Sequence, residues 1–216
     1  MLCDRRQFIP STVRWAEVGG LLLTQDTQLS THATSSGGAQ AVLSVNLTIS
    51  SLAATAPTLD MKIRAPGWAA EGSTLKVVRG GVLVAGAKAA FGAAHFLDVP
   101  APSGGWQTGD RIAASFVMVP RLKPINDKRP AYKNVAAIMM GPYVMGGLTN
   151  FSDVIAADPA KVADWVVPAR SSSGMRAGGG LEGLRLKAVG TNRDYLLTPL
   201  NRMVLENYTV YFNVTG

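Results

Sequence analysis

Between Ala41 and Ser50 the apolar residues Leu43, Val45, Leu47 and Ile49 alternate with Ser44, Asn46, Thr48 and Ser50. A period of two sets the first group on one face of an extended chain and the second on the other, whereas a helix would scatter them around its axis. The segment predicts a half-buried strand, and such a strand must cover its apolar face with other elements. Similar short runs recur at Leu59–Arg64, Leu75–Val78, Gly81–Val84, His95–Val99 and Arg111–Val119, each bounded by Gly or Pro. Thr12–Thr24 reads as two short strands separated by Gly19-Gly20. With 23 Gly, 12 Pro, 47% hydrophobic and 16% charged residues in 216, the chain has both punctuation and core material. That balance excludes global disorder and an all-helical fold. It predicts an all-β fold, an antiparallel β-sandwich of jelly-roll-like form.

The texture divides the chain further. Residues 1–8 read as an N-terminal tail and residues 9–148 as the β-sandwich domain, within which Lys123–Lys133 is a surface loop and Val135–Met140 a buried strand. Residues 149–180 read as a connector, with a short helix at Asp158–Trp165 opened by Pro159 and a Ser/Gly-rich stretch from Ser171 to Gly180. Alternation resumes at Leu184–Val189 and Tyr208–Phe212. Residues 181–216 are too few for a second sandwich, which needs about a hundred, so they are expected to form a partial C-terminal β-domain.

Several function classes fall away. One cysteine, Cys3, and two histidines, His32 and His95, supply neither a disulfide framework nor a Cys- or His-built metal centre. The longest uncharged apolar stretch, Val135–Leu148, falls short of the roughly 20 residues of a membrane helix and is broken by Gly141-Pro142. No membrane partner is expected. The net charge of +7 permits an acidic partner. Yet the basic cluster Arg121, Lys123, Lys128, Arg129 and Lys133 around Tyr132 is interrupted by Pro124 and Pro130, and reads as a solvated loop rather than a nucleic-acid surface. Asp4-Arg5-Arg6 leaves no apolar signal segment at this start. Four sequons, at Asn46, Asn150, Asn207 and Asn213, point instead to an extracellular or secretory-pathway setting.

Catalytic chemistry finds little purchase. Asp110 and Asp127 can be nominated as an acid pair, but Asp110 follows Gly109 in a turn, where an aspartate ordinarily hydrogen-bonds backbone. No Gly-x-Ser-x-Gly elbow occurs, and Gly37-Gly38, Gly80-Gly81 and Gly178–Gly180 lack the lysine of a phosphate loop. No residue is assigned a catalytic or metal role. Tryptophans either fill a β core or offer a flat face to a sugar ring. Trp68 and Trp106 are the candidates for contact with carbohydrate or with a partner domain.

A set of ordered segments carries a resemblance. These are Phe8-Ile9-Pro10-Ser11 with Trp15, Leu23-Thr24-Gln25 with Thr27, Ile63–Trp68, Trp106 with Gly109-Asp110, Val119-Pro120-Arg121, Tyr132, and Gly141-Pro142-Tyr143 with Gly146-Gly147. Together they resemble the region after the catalytic barrel in glycoside hydrolase family 127, the β-L-arabinofuranosidase-like proteins. Arg129–Gly147 with Trp165–Pro168 looks most like plant and algal members, and Leu200–Phe212 also resembles a segment of the family. The resemblance implies a missing helical barrel that carries the acid/base chemistry and a zinc-bound cysteine, so this chain is expected to hold no cofactor itself. It implies a non-catalytic β-sandwich portion that supports a barrel on the same or a companion polypeptide. The alternative is a stand-alone carbohydrate-binding β-sandwich module, with arabinose-containing glycans as ligands.

Overall fold

The computed structural model describes residues 10–52, 58–87, 96–149, 153–169, 184–204 and 206–216. It is an all-β, sandwich-like fold in which the chain forms two compact units. One comprises the residues up to Gln28 with Leu43–Val117, the other Leu29–Val42 with the residues from Met118 onward.

The first unit holds β1 (Ser11–Trp15), β2 (Leu21–Ala33) as far as Gln28, β3 (Ala39–Ser51) from Leu43 onward, β4 (Met61–Arg64), β5 (Thr74–Arg79), β6 (Val82–Ala87), β7 (Phe96–Val99) and β8 (Arg111–Met118) as far as Val117. Six of these form one sheet in the order β1-β2-β3-β8-β5-β6, and β4 pairs with β7 in a second, two-stranded sheet. The period of two decides which face is buried. In β3, Leu43, Val45 and Ile49 are buried; Leu47 reaches only half-burial. In β8, Ile112, Ala114 and Phe116 are buried, and β5 sets Val77 opposite Ile112 and Leu75 opposite Ala114. Side chains of directly paired residues share a face, so these make one apolar layer. Leu97 and Val99 of β7 add to the buried set, and Trp68, just after β4, stands edge-on to Phe116 with ring centroids 6.1 Å apart.

The second unit contains β9 (Pro120–Pro124), β10 (Val135–Met140), β11 (Tyr143–Leu148), β12 (Val154–Ala156), α1 (Val162–Trp165), β13 (Val166–Pro168), β14 (Leu186–Val189), β15 (Asp194–Pro199), β16 (Tyr208–Thr209) and β17 (Tyr211–Thr215). Its sheet runs β12-β17-β10-β11-β15-β14-β13, with β9 also beside β10 and β16 also beside β11. One pairing, β12 with β17, is parallel. Strands from before residue 149 and after residue 180 thus share one sheet, and β12 and β13, from the stretch read as a connector, belong to it. Lys123, expected in a loop, lies on β9, whose prolines sit at the two strand ends, where the missing N–H is tolerated. The helix expected over Asp158–Trp165 is a single turn. The Asp158 carboxylate takes the Ala160 N–H at 2.8 Å and its carbonyl takes that of Lys161 at 3.1 Å, so the chain turns first and the helix starts at Val162.

The hairpin β10–β11 pairs only across Ile138–Met140 and Tyr143–Met145 and then splays. The segment Tyr208–Asn213 enters the gap. Tyr208 and Thr209 pair with Leu148 and Gly147 on one arm, and Tyr211–Asn213 pair with Val135–Ala137 on the other. This brings the buried ring of Phe212 so close to Gly147 that a Cβ there would stand 2.4 Å from Phe212 Cζ. Phe212 packs edge-on against Tyr195, centroids 5.3 Å apart, and has nowhere to retreat. Gly147→Ala should therefore lower stability in urea unfolding by about 1–3 kcal/mol. Gly67→Ala, where a Cβ would meet nothing within 4 Å, should stay within about 0.5 kcal/mol of the parent.

Candidate functional site

The turn Gln107–Asp110 precedes β8, and Gly109 holds φ at 91°, a conformation that favours glycine. Asp110 has a fully buried side chain. Arg79, at the end of β5, donates to it from Nε at 2.7 Å and from Nη2 at 2.8 Å, and the Gln107 N–H adds a third bond at 2.8 Å. The same guanidinium reaches the carbonyls of Gly105, at 2.6 Å, and Ser103, at 3.3 Å. Burial pushes the Asp110 carboxyl up, but the Arg79 hydrogen bond and the Gln107 N–H outweigh it, and the group titrates below the ordinary carboxylate range. A carboxylate so saturated is held ionised and is a poor proton donor at neutral pH. Asp127 is engaged elsewhere: Arg129 bonds it through its side chain and its backbone N–H, which also lowers its pKa, and the Arg129 guanidinium lies 4.5 Å over the Tyr132 ring. The two nominated acids lie in different units, each tied to its own arginine.

Trp106 is fully buried and its indole N–H donates to the Leu59 carbonyl at 2.8 Å. The residue belongs to the core of the described chain, where its ring presents no exposed face. Trp68 is half-buried, so part of its indole remains at the surface beside Phe116. Cys3 and His95 lie outside the described residues. Gly141 turns the β10–β11 hairpin with φ at 57°, Arg121 donates to its carbonyl at 3.3 Å, and burial pushes the Tyr143 phenol above its usual range. Among the described residues no three of His, Cys, Asp and Glu gather where they could hold a metal ion.

Sequence reasoning named Asn207 only as a sequon and assigned no binding role to any residue of a concave feature that lies among the described residues. In the second unit a groove of about 590 Å³ is lined by Leu148 and Thr149 at the end of β11, Arg193–Tyr195 at the start of β15, and Glu206-Asn207 ahead of β16. The splaying of β11 from β10 brings these three segments together. Asp194 there accepts from Lys187 at 2.8 Å, and the Tyr195 hydroxyl donates to the Val154 carbonyl at 2.9 Å. The groove offers a guanidinium, two carboxylates and an amide beside apolar carbons. No linear motif announces it, because its walls come from three separate segments of the chain.

The sequence matches no protein-family model and no curated protein. Solved structures do match. One described as a glycoside hydrolase aligns over 88% of this chain and 35% of its own, at 15% identity and a TM-score of 0.51. A GH127 β-arabinofuranosidase aligns over 95% of this chain and 33% of its own, also at 15% identity and a TM-score of 0.51. The chain has a GH127-like fold. A GH127 β-L-arabinofuranosidase from Geobacillus stearothermophilus T6 aligns over 96% and 33%, at 14% identity and a TM-score of 0.47. The chain spans about a third of the length of the structures it matches.

The lowered pKa of Asp110 gives the ion pair a pH signature. A carboxyl that titrates lower in the folded state than in the unfolded one stabilises the fold above the unfolded value, and that contribution is lost as pH falls through the folded one. Urea unfolding across pH should show Asp110→Asn costing about 3 kcal/mol at pH 7. The parent should lose stability faster than the variant as pH drops below about 4.

Proposed function

We propose that this chain is the non-catalytic β-sandwich portion of a GH127-like, β-L-arabinofuranosidase-like glycosidase, nearest the plant and algal members, that supports a helical catalytic barrel in carbohydrate hydrolysis. The observation that carries the reading is the extent of the likeness, nearly the whole of this chain against about a third of each glycosidase. The barrel, on the same or a companion polypeptide, supplies the acid/base groups and the zinc. A surface consistent with such packing exists. On β6, the outermost strand of its sheet, Val82, Leu83 and Val84 are 65%, 58% and 41% exposed. Consecutive exposed apolar residues on an edge strand favour association.

A second reading, a stand-alone carbohydrate-binding module for arabinose-containing glycans, is favoured by the half-buried Trp68. It is read by following Trp fluorescence during titration with arabinose-containing oligosaccharides, which should change in the parent and not in Trp68→Ala. Reading the native transcript in frame upstream of Met1 tests the first reading in its same-polypeptide form. The first reading expects a continuous frame encoding a helical domain with paired cysteines and glutamates, and no turnover of arabinofuranosides by the purified chain. A stop codon immediately upstream leaves only a companion polypeptide to carry the barrel and moves the binding module to first place, and turnover by this chain alone overturns the first reading.

A further inference from the structure

The outer face of the second unit's sheet carries a row of side chains that the core does not use. Lys187 pairs with Leu196, Leu196 with Leu148, and Leu148 with Tyr208, across β14, β15, β11 and β16. Directly paired residues place their side chains on the same face, so the four stand in line. The opposite face, with Leu186, Ala188, Tyr195, Leu197 and Phe212, is buried. On the outer face Leu196 is 36% and Tyr208 47% exposed, and the Lys187 side chain 42%. At strand spacings of 4.7–4.9 Å, the row is about 14 Å long. The groove opens at its side, because Leu148 belongs to both.

Row and groove together have a chemical character. A flat, partly apolar strip that includes an exposed phenol ring meets a cluster of donors and acceptors of mixed sign, namely Arg193, Asp194, Glu206 and Asn207. Two carboxylates beside the guanidinium disfavour an anion such as phosphate, since like charges within a site repel. The Asp194 carboxylate is already engaged by Lys187 and the Glu206 carboxylate accepts the Val204 N–H at 3.0 Å, which lessens the pull on a free cation. What suits such a strip is a neutral ligand with C–H faces to lie on Tyr208 and Leu196 and with many hydroxyls that both donate and accept. A pyranose or furanose chain has that composition, and the length of the row accommodates more than one ring.

We propose that this outer strip, centred on Tyr208 with Arg193 and Glu206 at the groove, is a binding site for a short neutral oligosaccharide. It lies on the second unit, whereas Trp68 lies on the first, and it does not depend on whether a barrel is attached. The test is calorimetric titration of the whole purified chain with arabino- and xylo-oligosaccharides, alongside saturation-transfer NMR to show which ligand protons touch the protein. The parent should bind at least one series, with sugar C–H protons receiving the transfer. Tyr208→Ala should weaken binding about tenfold and Arg193→Ala several-fold, while Trp68→Ala leaves it within twofold. Thermal midpoints near the parent's, with unchanged near-UV dichroism, show that each variant is folded. Tyr208→Phe, which keeps the ring, should retain most of the affinity and so guards against a misfolded alanine variant. No binding of either series at millimolar concentration overturns the proposal. So does binding that survives both Tyr208→Ala and Arg193→Ala, or binding lost only with Trp68→Ala, which would move the sugar to the first unit.

Discussion

One buried carboxylate organises the first unit. Asp110 accepts two bonds from Arg79 and one from the Gln107 N–H, while its own N–H goes to Gln107 and its carbonyl receives the N–H of Ile49. Next to it the Gly109 N–H donates to the Ile49 carbonyl, so the end of β3, the end of β5 and the start of β8 converge on one turn. The loop that carries Trp106 is fastened by the same guanidinium through Ser103 and Gly105. A charge removed from water is tolerable here because both of its oxygens accept hydrogen bonds, from a guanidinium and a backbone N–H. The indole packs inward only because the loop behind it cannot drift.

How far the fold could be read ahead depends on which interactions are local. The alternation in β3 and β8 is a local code, and the structure buries Leu43, Val45 and Ile49 as that code requires. The Gly109-Asp110 turn was legible for the same reason, since the need for a positive φ is written in the glycine itself. Arg79 was not legible as the partner of Asp110, because thirty-one positions separate them and nothing in the run Leu75–Arg79 distinguishes that arginine from a solvent-facing one. Trp106 illustrates a related limit: an indole that plugs a core and one that offers a platform look alike until the partner of the N–H is known. Pro120 and Pro124, which punctuate the chain like loop residues, instead mark the ends of β9 because their missing donors fall where the ladder does not need them.

The second unit shows what strand pairing can accomplish with no long helix among its described residues. Its sheet takes in a parallel strand, a doubly flanked terminal strand and a splayed hairpin, and the irregularities are where its surface features arise. Gly146 and Gly147 are placed by proximity rather than by backbone angle: Met203 and Phe212 occupy the volume their side chains would need. The groove exists because β11 leaves β10 after Met145 and so reaches the segment before β16. Sequence periodicity reports which face of a strand is buried, but it is silent on where two strands part.

The position of β17 in the sheet also bears on how the molecule is made. This strand lies between β12 and β10, yet it follows every other strand in chain order. As a polypeptide leaves the ribosome, β10 and β11 emerge early and can close their short hairpin at once, while the open part of the splay waits for a partner some seventy positions away. Contacts so distant in sequence form slowly, and until they form the arms of the splay offer unpaired backbone to any neighbouring chain. The first unit, by contrast, has all its strands once Met118 has been synthesised. The two halves should therefore mature on different schedules, with nascent-chain factors more important for the later one.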